Sequence, residues 1–190
     1  ARLAAQYTGR GVLGFGLSND ERRGDTAQFG PAFAIAERAG LALVPHGGEL
    51  LGPAHVTQCL DHLHPNRLGH GVRAAENAAV LDRLAASGVA LEVCPTSNVS
   101  LGVFSTFEEV PVRTLMAAGV DVALGADDPL LFGSRLAAQY AVLRAAQNFD
   151  DAELAELARM SIRRSYAPSE MVSAALVGID DWLAAPAEPA

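Results

Sequence analysis

The sequence predicts an α/β fold built on a parallel sheet, and three observations carry that prediction. Five short runs rich in apolar residues recur, at Val12 to Leu17, Leu41 to Pro45, Arg67 to Gly69, Val89 to Val93 and Val120 to Leu124. They are mostly continuous rather than alternating, which fits strands buried on both faces. Each is followed by a polar or glycine-rich turn and then by a helical pattern, the order of βα units. Polar residues also gather just after the runs: Ser18, Asn19, Asp20 and Glu21; His46 and Glu49; His70; Thr96, Ser97 and Asn98; Asp127 and Asp128. In barrel and open α/β folds alike, the C-terminal end of the strands carries the active site.

The elements follow in order. A helical pattern from Arg2 to Tyr7 precedes the first strand. The helix expected over Ala27 to Ala39 has Pro31 in its first turn and Gly40 beyond its end. The next, Pro53 to His62, opens on proline; Ala75 to Ser87 and Val110 to Ala118 stop at Gly88 and Gly119. Proline suits a first turn because it needs no N–H partner, and glycine suits the left-handed stop. After Leu124 the pattern is helical only. Ser134 to Gln147 sets Leu136, Tyr140, Leu143 and Ala146 on one face. A second helix, capped by Asp150 or Asp151, runs to about Arg164; a third opens at Pro168 and ends near Leu176. Trp182 is expected to pack the following segment onto the core. The pattern predicts one domain over residues 1–183 and a frayed Ala/Pro-rich tail over 184–190.

Composition narrows the function classes. Half of the 190 residues are hydrophobic, enough for a sizeable core. A net charge of −8 without a basic cluster argues against nucleic-acid or anionic-membrane binding. Cys59 and Cys94 are far apart and are the only cysteines, which fits a reducing, cytoplasmic setting rather than a disulfide framework. No run of about 18 apolar residues is present, so no membrane helix is expected, and no signal-peptide pattern opens the chain.

The stretch Leu41-Ala42-Leu43-Val44-Pro45-His46-Gly47-Gly48-Glu49 organises the chemistry. A buried run ends in a histidine, and two glycines that let the backbone turn close to a ligand separate it from a carboxylate. His46 and Asp127 at strand ends are donors suited to a catalytic Zn²⁺. His70, between two glycines, is a general base or a positioner of the attacking water. The repulsion between Asp127 and Asp128 is tolerable if one binds a cation and the other meets a donating ligand; the competing reading is an Asp-Asp-Pro turn with a helix cap. Val120 to Leu124 is expected to point both carboxylates at the same mouth. Glu49 beside an apolar wall is expected to have a raised pKa and to act as an acid. Together these groups suit metal-assisted hydrolysis. His55, His62 and His64 flank a helix and loop, and are expected at the surface or behind the site. Cys94 reads as a small buried residue, not a nucleophile.

These motifs resemble those of the adenosine deaminase family of metal-dependent amidohydrolases. The resemblance rests on His46-Gly47-Gly48-Glu49, Arg67-Leu68-Gly69-His70-Gly71, Cys94-Pro95-Thr96-Ser97-Asn98 and Asp127-Asp128-Pro129-Leu130-Leu131-Phe132, in order, with Gly14 to Glu21 as a fifth stretch. It implies a (β/α)8 TIM barrel, of which the chain holds the last five βα units and the C-terminal helices. It implies hydrolytic deamination of a 6-aminopurine nucleoside, with His46 and Asp127 as zinc ligands and Glu49 as the acid that protonates N1. His70 would orient or deprotonate the water that attacks C6. Asp128 would partner N7, and the backbone of Asn19 would face N3.

Two departures bear on that implication. The family's first strand carries a His-x-His pair of zinc ligands, and no counterpart exists here; His62-Leu63-His64 lies between helix and strand. The resemblance thus implies a fragment, a truncated gene product or one half of a split enzyme whose N-terminal half is a partner segment; zinc is expected to bind weakly without that half, and the isolated chain is expected to be inactive. Gly16, and Gly125-Ala126 ahead of the aspartate pair, resemble divergent bacterial members, some of which act on aminodeoxyfutalosine and others on free adenine. Asn19-Asp20-Glu21, in place of the Ser-Ser-Glu usual in adenine deaminases, favours a nucleoside. A non-catalytic barrel fragment and another amidohydrolase reaction are the competing classes. The cytidine-deaminase type is excluded by the lack of a Pro-Cys-x-x-Cys motif.

Overall fold

All five apolar runs become strands of one parallel sheet in the computed structural model, which describes residues 1–185. The strands are β1 (Gly14–Leu17), β2 (Ala42–Gly47), β3 (Arg67–His70), β4 (Ala90–Val93) and β5 (Val122–Leu124), side by side in sequence order. Parallel pairing, with Gly14 beside Ala42, Arg67 beside Ala90 and Leu91 beside Val122, sets every C-terminal end at the same mouth. The helices are α1 (Arg2–Gln6), α2 (Gly30–Arg38), α3 (Pro53–Leu63), α4 (Ala78–Ser87), α5 (Pro95–Ser100), α6 (Val112–Ala117), α7 (Pro129–Phe132), α8 (Leu136–Gln147), α9 (Asp151–Arg163) and α10 (Ser169–Ala184).

The two faces of the sheet differ. Leu43, Leu68, Leu91, Val93 and Val122 join Val56, Leu63, Leu84 and Leu115 of the helices in the buried core. Each such side chain contributes on the order of 1.5–3 kcal/mol by leaving water. The other face carries Ala42, Val44 and His46 on β2, Arg67 and Gly69 on β3, and Glu92 on β4. Arg67 Nε lies 2.8 Å from Glu92 Oε1. The expectation of strands apolar on both faces is thus corrected for β3 and β4, whose inner positions hold an ion pair.

Several helices depart from the sequence reading. The one expected over Ala27 to Ala39 begins as a 3-10 turn, Thr26–Phe29, capped by Asp25, before α2. The one expected from Ala75 is divided at Asn77, whose side chain accepts from the Val80 N–H and starts α4. Asp150 caps α9 in a reciprocal capping box with Glu153, as the aspartate pair suggested. α10 runs through Gly178 to Ala184, past the stop expected near Leu176. A glycine inside a helix costs only about 1 kcal/mol and does not end it. Trp182 on α10 is 52% exposed and does not pack onto the core. The frayed tail expected over 184–190 begins on the last residue of α10, and residues 186–190 lie outside the described residues.

Gly48 tests how tightly the mouth of β2 is built. Its φ is +74°, and a Cβ would stand 2.3 Å from Val56 Cγ2 and 3.4 Å from the Gly71 backbone. Gly48→Ala is expected to cost about 2–4 kcal/mol, combining left-handed strain with overpacking. Gly88→Ala, at φ +70° with open space around it, should cost only the backbone part, about 1–2 kcal/mol. Thermal melts of the two variants check the difference; equal losses would contradict the packing at Gly48.

Candidate active site

β2 delivers His46 to the mouth. His46 pairs in register with Gly69 of β3. Its ring occupies the space a side chain on Gly69 would need: a Cβ there would fall 2.8 Å from His46 Nδ1 and 2.9 Å from Cγ. His70 ends β3 with φ +60°. This left-handed backbone breaks the strand's alternation and brings the His70 ring edge-on to His46, centroids 5.1 Å apart. Asp127 also adopts a left-handed backbone, φ +55°, and Ser97 Oγ donates to its Oδ2 at 2.5 Å. Asp127 Oδ2 lies 3.8 Å from His70 Nε2.

Glu49 completes the group from the loop after β2. Its Oε1 is 3.3 Å from His70 Nδ1 and accepts from Asn98 Nδ2 at 3.2 Å. Asn98 is fully buried on α5, and its Nδ2 also lies 3.3 Å from His70 Nδ1. The Asn98 amide thus faces both Glu49 Oε1 and His70 Nδ1, while His70 Nε2 faces Asp127.

Electrostatics separate the two central groups. Burial, then the charges of Asp127 and Glu21, push Glu49 up to about 7, against the bond from Asn98. Burial, then the His46 ring, push His70 well below the usual histidine range, against the carboxylates of Asp127 and Glu21. Near neutrality the site pairs a half-protonated carboxyl with a neutral imidazole, the pattern of acid and base groups driven apart.

A sign follows for Glu49. The folded state holds a proton at pH values where the unfolded chain has lost it. Its stabilising contribution is complete below about 4.5, the ordinary value, and is lost as pH rises through about 7. In protein freed of divalent ions by a chelator, ¹³C titration should place the Glu49 carboxyl midpoint near 7. Asn98→Ala removes a donor to the carboxylate and should move that midpoint higher; a downward shift would contradict the assignment.

The remaining expected site residues fall differently. Asn19, φ +94°, lies across a cleft of about 270 Å³ that Ser18, Asp20 and His46 also line. His46, His70 and Asp127 open onto a second cleft of about 430 Å³, shared with Cys94 and Glu92. Asp128 is held differently from Asp127. Its Oδ1 accepts from the Leu130 and Leu131 N–H groups and caps α7. The helix cap weighed in the sequence against a joint aim of the two carboxylates is formed through Oδ1, and Oδ2 takes no part in it. Cys94 lies nearer a base than the sequence suggested, with His70 and Asp127 ligand atoms within 4.8 Å. Burial pushes its thiol up to about 12, so it stays protonated and inert.

Whether these residues suit a metal ion can be judged from His46. Its Nδ1 is buried without a hydrogen-bond partner among the described residues, so the ring is not held as an ordinary core histidine is. A neutral imidazole and a carboxylate on one cleft are donors that fit Zn²⁺. Two protein ligands are fewer than the three a catalytic zinc keeps, so they fit as part of a set.

Of the two places expected for His55, the structure has the one behind the site: it is buried, with Nδ1 3.0 Å from Glu21 Oε2. The signal was its spacing, since His55, Val56, Cys59 and Leu63 form the buried face of α3. His62 and His64 are exposed, as expected. Asn98, a strand-end polar residue and motif member given no role from the sequence, bridges Glu49 and His70.

Comparison with known proteins gives concordant findings. The family model described as adenosine deaminase matches residues 1–182. The chain is 62% identical over 185 residues to a Streptomyces coelicolor protein provisionally named adenosine/adenine deaminase, covering 97% of this chain and 54% of that one. It is 42% identical over 177 residues to the adenine deaminase of Rhizobium leguminosarum bv. trifolii, covering 91% and 55%. The crystal structure of an adenine deaminase from Arthrobacter aurescens superposes with a TM-score of 0.90 at 32% identity, covering 97% of this chain and 57% of that one. The chain spans about half the length of the curated relatives it matches.

Proposed function

The chain belongs to the adenosine deaminase family, with βα units of the TIM-barrel type, and from that premise we propose that its mouth is the larger part of a hydrolytic deaminase site for a 6-aminopurine. The observation that carries this reading is Glu49, raised to about 7 by burial and held against the neutral His70 by Asn98. Water adds at C6, ammonia leaves, and the 6-amino group becomes a 6-oxo group. Glu49 gives its proton to N1 as the water attacks. His70 faces the attacking water and orients it, and the Asp127 carboxylate beside it accepts a proton from that water. Asp128 Oδ2 partners N7, and the Asn19 backbone faces N3. His46 and Asp127 would hold Zn²⁺ as part of a larger ligand set. When bound, the ion supplies a Lewis acid that lowers the pKa of water.

For the finer choice we favour a nucleoside of the adenosine type, on Asn19-Asp20-Glu21 at the mouth of β1. A second reading is free adenine, favoured by the names of the Rhizobium leguminosarum and Arthrobacter aurescens relatives. Kinetics on the protein as its gene encodes it, with adenosine and adenine side by side, decide the choice. A kcat/KM at least tenfold higher for adenosine is expected. The reverse order transfers the assignment to adenine. Ammonia from neither, in zinc-supplemented protein, counts against deamination.

A further inference from the structure

Glu21 lies in the loop after β1, yet its side chain is only 5% exposed and reaches across to the loop that carries Glu49. Its Oε1 accepts from the Glu49 N–H at 3.0 Å and also from the Leu51 N–H. Its Oε2 lies 3.0 Å from His55 Nδ1, which also accepts from the Gly48 N–H at 3.2 Å. His55 Nε2 in turn lies 3.0 Å from Thr26 Oγ1. The His55 ring packs beneath the same loop, where a Cβ on Gly47 would stand 3.3 Å from Cε1. On the far side, Arg73 Nη1 donates to the Leu50 carbonyl at 2.9 Å.

Burial pushes the Glu21 carboxyl up, but the bonds from His55 and the Leu51 amide outweigh it and leave it below the usual glutamate value. Glu21 is therefore ionised. A buried carboxylate is costly without donors, and here the donors are the backbone of the segment that ends in the Glu49 side chain. Gly47 and Gly48 precede that segment, so its own backbone supplies little stiffness.

From this geometry we infer that Glu21, backed by His55 and Thr26, is a positioning residue for deamination. It fixes the backbone of Glu49 and Leu51 so that the Glu49 carboxyl stands against His70 and Asn98. The catalytic part of this inference rests on the role given to Glu49 above; the loop-holding part stands on the hydrogen bonds alone. Positioning of an acid acts on the reaction step more than on ground-state binding.

The test is Glu21→Ala and Glu21→Gln in the protein as its gene encodes it, with kcat and KM measured beside amide hydrogen exchange. Glu21→Ala should lower kcat about 10- to 100-fold, with KM changed less than about threefold. Exchange at the Glu49 and Leu51 amides should rise sharply while the β2 and β3 core amides stay protected. Glu21→Gln keeps an acceptor oxygen for both amides and should recover much of kcat and of the protection; it is also the variant to read if Glu21→Ala does not fold. Unchanged exchange at Glu49 and Leu51 in both variants would overturn the inference, as would an unchanged kcat in an active Glu21→Ala enzyme. A parent protein that turns over no 6-aminopurine would remove the proposed reaction, and the exchange result would still decide whether Glu21 holds the loop.

Discussion

Glu49→Gln is expected to lower kcat for deamination by about 10²–10⁴-fold while leaving KM and folding nearly unchanged. The glutamine carbonyl can still accept from Asn98 Nδ2, so the buried contact that places the side chain is kept. What is lost is the proton. The carboxyl is pushed up to about 7 by burial and by the charges of Asp127 and Glu21, which keeps it a competent acid near neutrality. An amide has no proton to give to N1 of a purine. The wild-type rate should also fall as pH rises above the Glu49 midpoint, and that fall should be absent from the residual activity of the variant. Steady-state kinetics across pH check both parts. A kcat within about fivefold of wild type would remove Glu49 from the acid role.

On the ligand role proposed for His46, Gly69→Ala is expected to weaken zinc binding, and activity with it. The backbone at Gly69 is ordinary extended strand and accepts alanine, so the effect comes from one contact. The new methyl would lie 2.8–3.1 Å from three atoms of the His46 ring. The strand pairing of His46 with Gly69 gives that ring little room to move without leaving its orientation. Misorienting a metal-binding histidine typically costs 10–100-fold in affinity. Zinc titration of the chelated protein, with a thermal melt as control, checks it. Full zinc content at wild-type affinity would mean that His46 does not ligate from this position.

The strands and the polar residues gathered at their ends were legible because both are written in local order. Leu41 to Pro45 followed by His46-Gly47-Gly48-Glu49 reads as a strand, a ligand, a turn and an acid, and the structure has β2 ending at Gly47 with His46 and Glu49 at the mouth. The aim of the side chains was not legible. His70 and Asp127 are non-glycine residues with positive φ, and no sequence pattern announces that conformation. It turns Asp127 inward while Asp128, its neighbour, caps α7. Asn98 looked like one polar residue of a turn, because Pro95 at the start of α5 could be read as a loop proline as well as a first-turn proline. Only the fold brings its amide to Glu49, 49 residues away. Glu21 is a similar case: its partners lie 28 to 34 residues on, in a different βα unit.

Isotope labelling in turnover tests the central claim most directly. The protein as its gene encodes it, supplied with zinc, is incubated with adenosine and with adenine in H₂¹⁸O, and purine product and ammonia are quantified together. The predicted result is one ¹⁸O at C6 of the 6-oxopurine for each ammonia released, with any ribose still attached. Cleavage to free adenine and ribose, or no C6 oxygen exchange for ammonia from either substrate, would contradict it.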